Sequence, residues 1–332
     1  MMFSLLLHIG CVCLVWKLIS SLLRVHGGVS EKQILYVNFI TTLLFAVHPI
    51  NVEAVAWISA LKVLLYAFFY LLGLLCYLRY IRTSKIFYYV LTIGCFLCSF
   101  WGKEQAVTFP LALLIVDWFT NRNMKNLEVW SEKMSFLIMA FFFGIITVLS
   151  QGKGPYEMIF PLYQRLLFGC FALVEYITKS LLPVNLNFFY PFPIVLGEEP
   201  PLHYYLYPVV LLFLMGWIIA YRNNRYLVFG VLLFLVNLLF SIHLFNMSRH
   251  AIVADRYMYL SYVGIAFLIA NGIWWLRKRL SYFKAALVFL FFYCFFLSVY
   301  TFHYTKKWEN TTMVKKYTKE VLEKRLNGSN HL

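Results

Sequence analysis

Long uninterrupted apolar runs constrain this chain more than any other feature of its sequence. Residues 134–150 and 226–246 are each long enough, as helices, to cross a hydrocarbon layer of roughly 30 Å. Hydrophobic residues make up 62% of the 332 residues and charged residues only 13%, whereas soluble domains carry about 25% charged residues. A water-soluble core could not enclose so many apolar segments. The sequence therefore predicts an all-α protein, a polytopic transmembrane helical bundle.

Ten apolar segments are predicted to span the membrane, and they cover residues 2–22, 34–48, 61–80, 86–101, 105–119, 134–150, 203–221, 226–246, 257–275 and 285–303. An eleventh apolar segment, 163–182, carries Arg165, Glu175 and Lys179. If it crossed the membrane, the basic residues of 277–284 would change sides, so a re-entrant or interfacial helix within the loop 151–202 is predicted instead. Residues 1–303 then form one transmembrane domain, and 304–332 form a short basic tail with a predicted helix.

The basic residues are distributed as in a membrane protein. The net charge is +15, but the Lys and Arg residues lie in short loops between spans, which does not indicate a nucleic-acid partner. With the N-terminus outside, the inner loops hold 14 basic residues and the outer loops before the tail hold 7, in agreement with the positive-inside rule. The seven cysteines all fall in apolar segments, where they are expected to act as small hydrophobic residues.

The predicted outer loops contain polar residues that orientation alone does not require. In the first loop, Pro49 disfavours helix at His48 and can begin a new helix, with Glu53 in its first turn. These residues are either an interfacial helix cap or, together with Lys62, the lining of a polar cavity. In a second loop, Lys103 and Glu104 form either an exposed ion pair at a turn or a site for an anion.

The third polar cluster lies at residues 247–259. It contains Arg249, His250, Asp255, Arg256 and Tyr257. The planar donor fork of arginine suits a phosphate, and a basic outer pocket can hold an anionic lipid head. Asp255 could instead cap a helix that starts near Arg256. A further segment, 185–193, is rich in aromatics and proline, and either stacks against a sugar or peptide or forms an interfacial belt.

These clusters resemble the membrane half of the tetratricopeptide-linked O-mannosyltransferase family, and the bacterial members look closer than the animal ones. The resemblance runs in order through H-P-I-N-V-E-A-V-A-W-I-S at 48–59, Lys62, Y-L-R-Y at 77–80, G-K-E-Q-A-V-T-F-P at 102–110, Asp117, Trp118, F-Y-P-F-P at 189–193, A-D-R-Y-M-Y at 254–259 and Trp308. It implies the fold of C-type glycosyltransferases. Such enzymes transfer a sugar from a polyprenyl-phosphate carrier to an acceptor, often a protein hydroxyl, on the outer face of the membrane; the bacterial cytoplasmic membrane is the expected location.

The resemblance assigns roles to residues of this chain. Arg256, Lys103, Arg249 and Lys62 are expected to bind the donor phosphate, with Glu104, His250 and Tyr257 in the same cavity, whereas His48, Glu53 and Asp255 are expected to support catalysis. Family members begin with a further span and an acidic outer loop that supplies catalytic residues, and they end in a tetratricopeptide array. This chain starts at what looks like the second span, so the main base is expected to be missing from it.

Other functions remain open at this stage. A divalent metal could be held by Glu53, Glu104, Asp255 and His48, although no ligand spacing requires one, and no metal site is predicted. A lipid or solute transporter would also place charges near an outer cavity, but should show matched halves with broken spans. A non-catalytic membrane scaffold is the alternative favoured by the missing acidic loop.

Overall fold

A computed structural model of the chain describes residues 2–150, 160–243 and 251–329, and these residues form helices and connections without a strand. The helices are α1 Met2–His26, α2 Glu31–Val47, α3 Val52–Ala56, α4 Leu61–Thr83, α5 Ile86–Gly102, α6 Phe109–Phe119, α7 Leu127–Ser150, α8 Leu162–Leu181, α9 Leu206–Ala220, α10 Arg225–Leu238, α11 Met258–Trp275, α12 Leu280–Lys306 and α13 Thr311–Ser329. Short 3₁₀ turns precede or follow several of them, at Pro49–Asn51, Ile58–Ala60, Glu104–Thr108, Leu202–Tyr205, Asp255–Tyr257 and Leu276–Lys278.

Among the described residues, six helices are long and apolar enough to cross a membrane. They are Met2–His26, Ile58–Thr83, Leu127–Thr147, Leu202–Ala220, Asp255–Lys278 and Leu280–Lys306. A seventh results if α2 is joined to Pro49–Ala56, from which it is bent by 51°. The chain is therefore a membrane-embedded helical protein.

The predicted count of ten spans is not confirmed. Each of the ten predicted segments contains a helix, but α2 and α5 have 17 residues, α10 has 14 and α6 has 11. At 1.5 Å per residue, α10 is about 21 Å long, which is short of the hydrocarbon thickness of roughly 30 Å. The apolar sequence continues past Leu238, where α10 ends. An apolar run indicates burial, but it does not by itself fix the residue at which a helix ends.

Pro49 causes the helix break that positions the first polar cluster. α2 begins at a capped end, where the Ser30 side chain accepts a hydrogen bond from the Gln33 backbone N–H. It stops at Val47, and His48 is extended because Pro49 follows it. The chain then turns through Pro49–Asn51 into α3, which is the arrangement that the proline predicts.

The bundle has two ends, which we name by their buried carboxylates. At the Glu53 end, the break after α2 meets the start of α11, and the Gln105 side chain donates to Ser241 beyond α10. At the Asp117 end, Arg225 at the start of α10 donates to the Trp118 carbonyl at the end of α6. α10 and α11 pack so closely that a Cβ on Gly264 would lie 2.5 Å from the Gly230 carbonyl oxygen.

Both ends of helix α8 contact the connection 182–205. Near its start, the Tyr163 hydroxyl donates to Glu199 and the Gln164 side chain donates to the Glu198 carbonyl. Near its last turn, the Lys179 ammonium lies 4.4 Å from the centre of the Tyr190 ring. Both contacts are with the connection 182–205, which lies beside the start of α11. The re-entrant or interfacial helix at 163–182 stays a prediction.

A network of buried charges joins α4, α6 and α7 at the Asp117 end. Asp117 and Lys133 are fully enclosed and form an ion pair, and both contact the hydroxyl of Tyr77. Arg122 donates to Asp117 at 3.1 Å and to Glu132 at 2.6 and 2.9 Å. The hydrogen bonds to Glu132 raise the pKa of Arg122, which lies between α6 and α7. The positive-inside rule accounts for Arg122 and Lys133 in the sequence, but it does not predict this network.

The two ends should face opposite sides of the membrane. Single cysteines at Ile58, which is exposed at the Glu53 end, and at Asn223, which is exposed at the Asp117 end, provide the test in a background without the native cysteines. In intact oriented vesicles, a membrane-impermeant thiol reagent should label one and not the other, and permeabilisation should restore the second signal. Labelling of both from the same side would disprove the arrangement.

The Asp117 network should contribute strongly to stability. The substitution Lys133→Met leaves a fully enclosed Asp117 with one cation fewer, and losing one partner of a buried pair costs about 3–5 kcal/mol. The matched control is Glu31→Gln, which removes the exposed ion pair with Arg24. Unfolding in detergent should show a large loss for Lys133→Met and almost none for the control. Equal losses of unfolding free energy in the two variants would show that the network does not stabilise the protein.

Candidate functional site

A buried ion pair between Glu53 and Arg256 forms the centre of the Glu53 end. The Glu53 side chain is fully enclosed, and its two oxygens accept from Arg256 separately: Oε1 from the guanidinium Nη1 at 2.5 Å, and Oε2 from the backbone N–H at 2.7 Å. The two residues are 203 positions apart in the chain. α3 supplies the carboxylate in its first turn, and the 3₁₀ turn before α11 supplies the arginine. The pair therefore connects the first polar cluster of the sequence to the third.

Arg256 is the partly exposed member of this pair, with 23% of its side chain accessible. Its central carbon lies 5.4 Å from the centre of the Trp57 ring and 5.2 Å from that of the Tyr257 ring. The Lys103 ammonium lies 4.2 Å from the centre of the same Tyr257 ring, and the Lys103 side chain is buried. Two cations therefore flank one aromatic ring, and both act electrostatically on the single carboxylate of Glu53.

Asp255 does not have the role of helix cap that its position in the sequence suggested. Ala254 occupies the N-cap position without a side-chain hydrogen bond, and Asp255 is the first residue of the 3₁₀ turn. Its enclosed carboxylate accepts from the Tyr190 hydroxyl, at 2.9 Å to Oδ1 and 3.1 Å to Oδ2. Burial, followed by the Asp255 charge, raises the pKa of Tyr190 well above its ordinary value. Asp255 therefore anchors the connection 182–205, and Glu53 is the ion-pair partner of Arg256.

The aromatic segment 185–193 packs inward at this end. The Ile252 backbone N–H donates to the Tyr190 carbonyl at 2.9 Å, which ties the segment to the chain just before Asp255. The Phe188 ring lies 5.1 Å from the Trp57 ring, and Trp57 in turn covers Arg256. The sequence of this segment is compatible with stacking on a ligand and with an interfacial belt. In the structure its rings support the arginine site.

The remaining predicted site residues are only partly brought together. His48 is buried beside the start of α3, with its ring 4.2 Å from that of Tyr262. Glu104 is half-buried at the start of its 3₁₀ turn, next to Lys103. Lys62 is exposed at the start of α4. The predicted phosphate ligand Arg249 and the predicted cavity residue His250 lie outside the described residues. Within the three described ranges, no three His, Cys, Asp or Glu side chains converge as a metal site.

Sequence reasoning did not identify the partners that complete the site. From the sequence, Lys179 is one charge on a predicted re-entrant helix; in the structure its ammonium pairs with Glu175 at 3.2 Å and its charge acts on the Asp255 carboxylate. From the sequence, Tyr190 is one aromatic among several; in the structure its hydroxyl makes the hydrogen bonds to Asp255. Lysine within an otherwise apolar segment was the available signal, because such a charge needs a buried partner.

Comparison with known proteins shows similarity over part of the chain. The chain is 36% identical over 101 residues to protein O-mannosyl-transferase TMTC2 from Mus musculus, which covers 28% of this chain and 12% of that protein. It is 31% identical over 123 residues to tmtc2 from Xenopus laevis, with 35% and 14% covered. It is 27% identical over 145 residues to Tmtc3 from Drosophila melanogaster, with 38% and 16% covered.

These matches define how far the relationship extends. The matched part of the chain spans less than a fifth of the length of each of these relatives. No family model matches the chain, and no solved structure matches it. The chain is a membrane-embedded helical protein that is similar, over between 28% and 38% of its length, to proteins named as protein O-mannosyl-transferases.

Proposed function

We propose that this chain is a glycosyltransferase that binds a polyprenyl-phosphate-linked sugar at the Glu53 end and takes part in transferring the sugar to a hydroxyl group, with a protein as the acceptor. The partial similarity to O-mannosyl-transferases supports the reaction class. The observation that carries the proposal is the partly exposed Arg256 side chain, whose guanidinium the enclosed Glu53 holds in place.

The two cations that lie beside the Tyr257 ring suit a phosphate. Arg256 and Lys103 bring two positive charges, and Glu53 brings one negative charge, so these three residues are net positive. Glu53 engages one terminal guanidinium nitrogen of Arg256 together with its backbone N–H. The fork of an arginine carries further N–H donors, which can hold phosphate oxygens with directed, charge-assisted bonds. Fixed donors of this kind stabilise negative charge as it develops on a leaving group.

In the proposed transfer, the acceptor oxygen bonds to the anomeric carbon of the sugar while the bond from that carbon to the phosphate oxygen breaks. The lipid phosphate leaves with the electron pair, beside Arg256. The acceptor proton passes to a base. Glu53 and Asp255 are both enclosed and already accept hydrogen bonds, so we assign them to positioning and leave proton transfer to a group outside this cluster. By the same proposal the active end faces outward, as expected for a bacterial cytoplasmic membrane protein.

A non-catalytic scaffold is the second candidate, and one observation favours it. Both carboxylates of the cluster are fully enclosed and paired, which is also how purely structural charges are held. The two candidates differ in what Arg256 does with its remaining donors. A scaffold does not need to distinguish a lipid phosphate from the uncharged alcohol of the same lipid.

The phosphate site is tested by comparing the affinity for polyprenyl phosphate with that for the neutral polyprenol. Losing a charge-assisted contact at a desolvated phosphate costs on the order of 2–5 kcal/mol. The wild-type chain should therefore prefer the phosphate by well over tenfold. Arg256→Lys keeps the charge but loses the fork, so its preference should be intermediate. The double variant Glu53→Gln with Arg256→Gln removes both charges of the pair but keeps Lys103, so it should retain only the part of the preference that Lys103 supplies.

The matched control for this experiment is Arg122→Lys. Arg122 is as exposed as Arg256 and is likewise held by buried carboxylates, but it lies at the Asp117 end. It should keep the wild-type preference for the phosphate. Thermal melts in detergent establish that each variant is folded. A folded double variant that prefers the phosphate as strongly as the wild type would overturn the proposed site and favour the scaffold.

A further inference from the structure

Helices α4 and α5 pack against each other as an antiparallel pair. Near one end of the pair, a Cβ added at Gly102 would lie 2.6 Å from the backbone nitrogen of Tyr66. Near the other end, the Tyr80 and Tyr89 rings lie 5.2 Å apart. Small residues let two helix backbones approach each other closely. The two main chains are therefore near enough for short side chains at facing positions to touch.

Cys76 and Cys95 are two such facing side chains between these ends. A Cβ added at Gly73 would lie 3.2 Å from the Cys95 Cβ, and Cys76 follows three positions later on the same face of α4. A hydrogen bond joins the two thiols. Both cysteines are free. Thiols that meet across two closely packed helices satisfy the main requirement for a disulfide bond, which is a short separation with converging side chains.

The two thiols differ in their accessibility. Cys76 is partly exposed, whereas Cys95 is buried. Cys76 lies about 10 Å along the helix axis before the end of α4 at Thr83, within the apolar helix Ile58–Thr83 that is long enough to cross a membrane. An oxidant that reaches this pair therefore has to be lipid-soluble, and it meets Cys76 first.

We infer that Cys76 and Cys95 are a redox-active pair that closes to a disulfide bond when it meets an apolar disulfide oxidant. The Cys76 thiolate attacks one sulfur of the oxidant, so that a mixed disulfide forms and one thiol of the oxidant leaves. The Cys95 sulfur then attacks the Cys76 sulfur, and the second thiol of the oxidant leaves. The two cysteines lose two electrons and two protons, which the oxidant gains as it is reduced to two thiols.

The bond would tie α4 to α5 one residue before Tyr77. The Tyr77 hydroxyl contacts Asp117 and Lys133, so oxidation would fix the helix that brings this hydroxyl to the Asp117 network. Cys98 is the competing partner, because it lies one turn beyond Cys95 in α5. Neither Arg256 nor the proposed transferase activity takes part in this reaction.

Dithiodipyridine, an apolar disulfide, is the probe that tests this inference on the purified full chain in detergent. Peptide mass spectrometry should find Cys76 joined to Cys95, two hydrogens lighter than the reduced pair, with no thiopyridyl adduct on either residue. Attack by Cys95 should outrun a second molecule of the reagent, because the two sulfurs are already in contact. Cys13, which is exposed on α1, should carry the adduct and so reports access of the reagent.

Cys95→Ser removes the second attacking thiol, so Cys76 should then keep the thiopyridyl adduct. The matched control is Cys98→Ser, which leaves both partners in place and should form the same link as the wild type. Should a variant fail to fold, the wild-type chain decides by itself. A wild-type link between Cys95 and Cys98 would overturn the inference. So would a wild-type Cys76 that carries the adduct, or one that stays unmodified while Cys13 reacts.

Discussion

The ion pair between Glu53 and Arg256 is the interaction on which the Glu53 end of this protein depends. An enclosed carboxylate in a bundle of apolar helices is expensive unless a cation and hydrogen-bond donors meet it. Arg256 supplies its guanidinium and its backbone N–H together, so the position of the main chain at the start of α11 is set along with the side chain. The rings of Trp57 and Tyr257 then lie against the guanidinium of Arg256.

The same physical rule organises the rest of the buried charge. Asp255 is held by Tyr190 and lies in the field of Lys179, and this connects α8 and the connection 182–205 to the arginine. At the opposite end, the enclosed Asp117 and Lys133 join α4, α6 and α7. Both ends of the bundle are therefore fixed by charges in pairs or networks, and the apolar contacts fill the space between them. Each end also has one partly exposed arginine beside a buried lysine, Arg256 with Lys103 at the Glu53 end and Arg122 with Lys133 at the Asp117 end.

Several features of the fold could be predicted from the sequence because they depend on local chemistry. Apolar runs indicate a membrane-embedded helical bundle, and Pro49 indicates from the local sequence alone where α2 ends. The sequence predicts Glu53 of the first cluster and Arg256 of the third as site residues. Their pairing was not predicted, because sequence periodicity shows which face a residue occupies and not which distant residue it meets. Asp255 was expected to act locally as a cap, and it instead reaches Tyr190, 65 positions away.

A double-mutant cycle on Glu53→Gln and Arg256→Gln, measured as unfolding free energy in detergent, tests this account most directly. Each single substitution leaves an enclosed or half-enclosed charge without its partner, whereas the double substitution removes both charges. Contacting residues of one network show coupling energies of about 0.5–3 kcal/mol, and the account predicts a value in the upper half of that range. The double variant should then be more stable than the sum of the single effects implies. Additivity within about 0.5 kcal/mol would contradict the account.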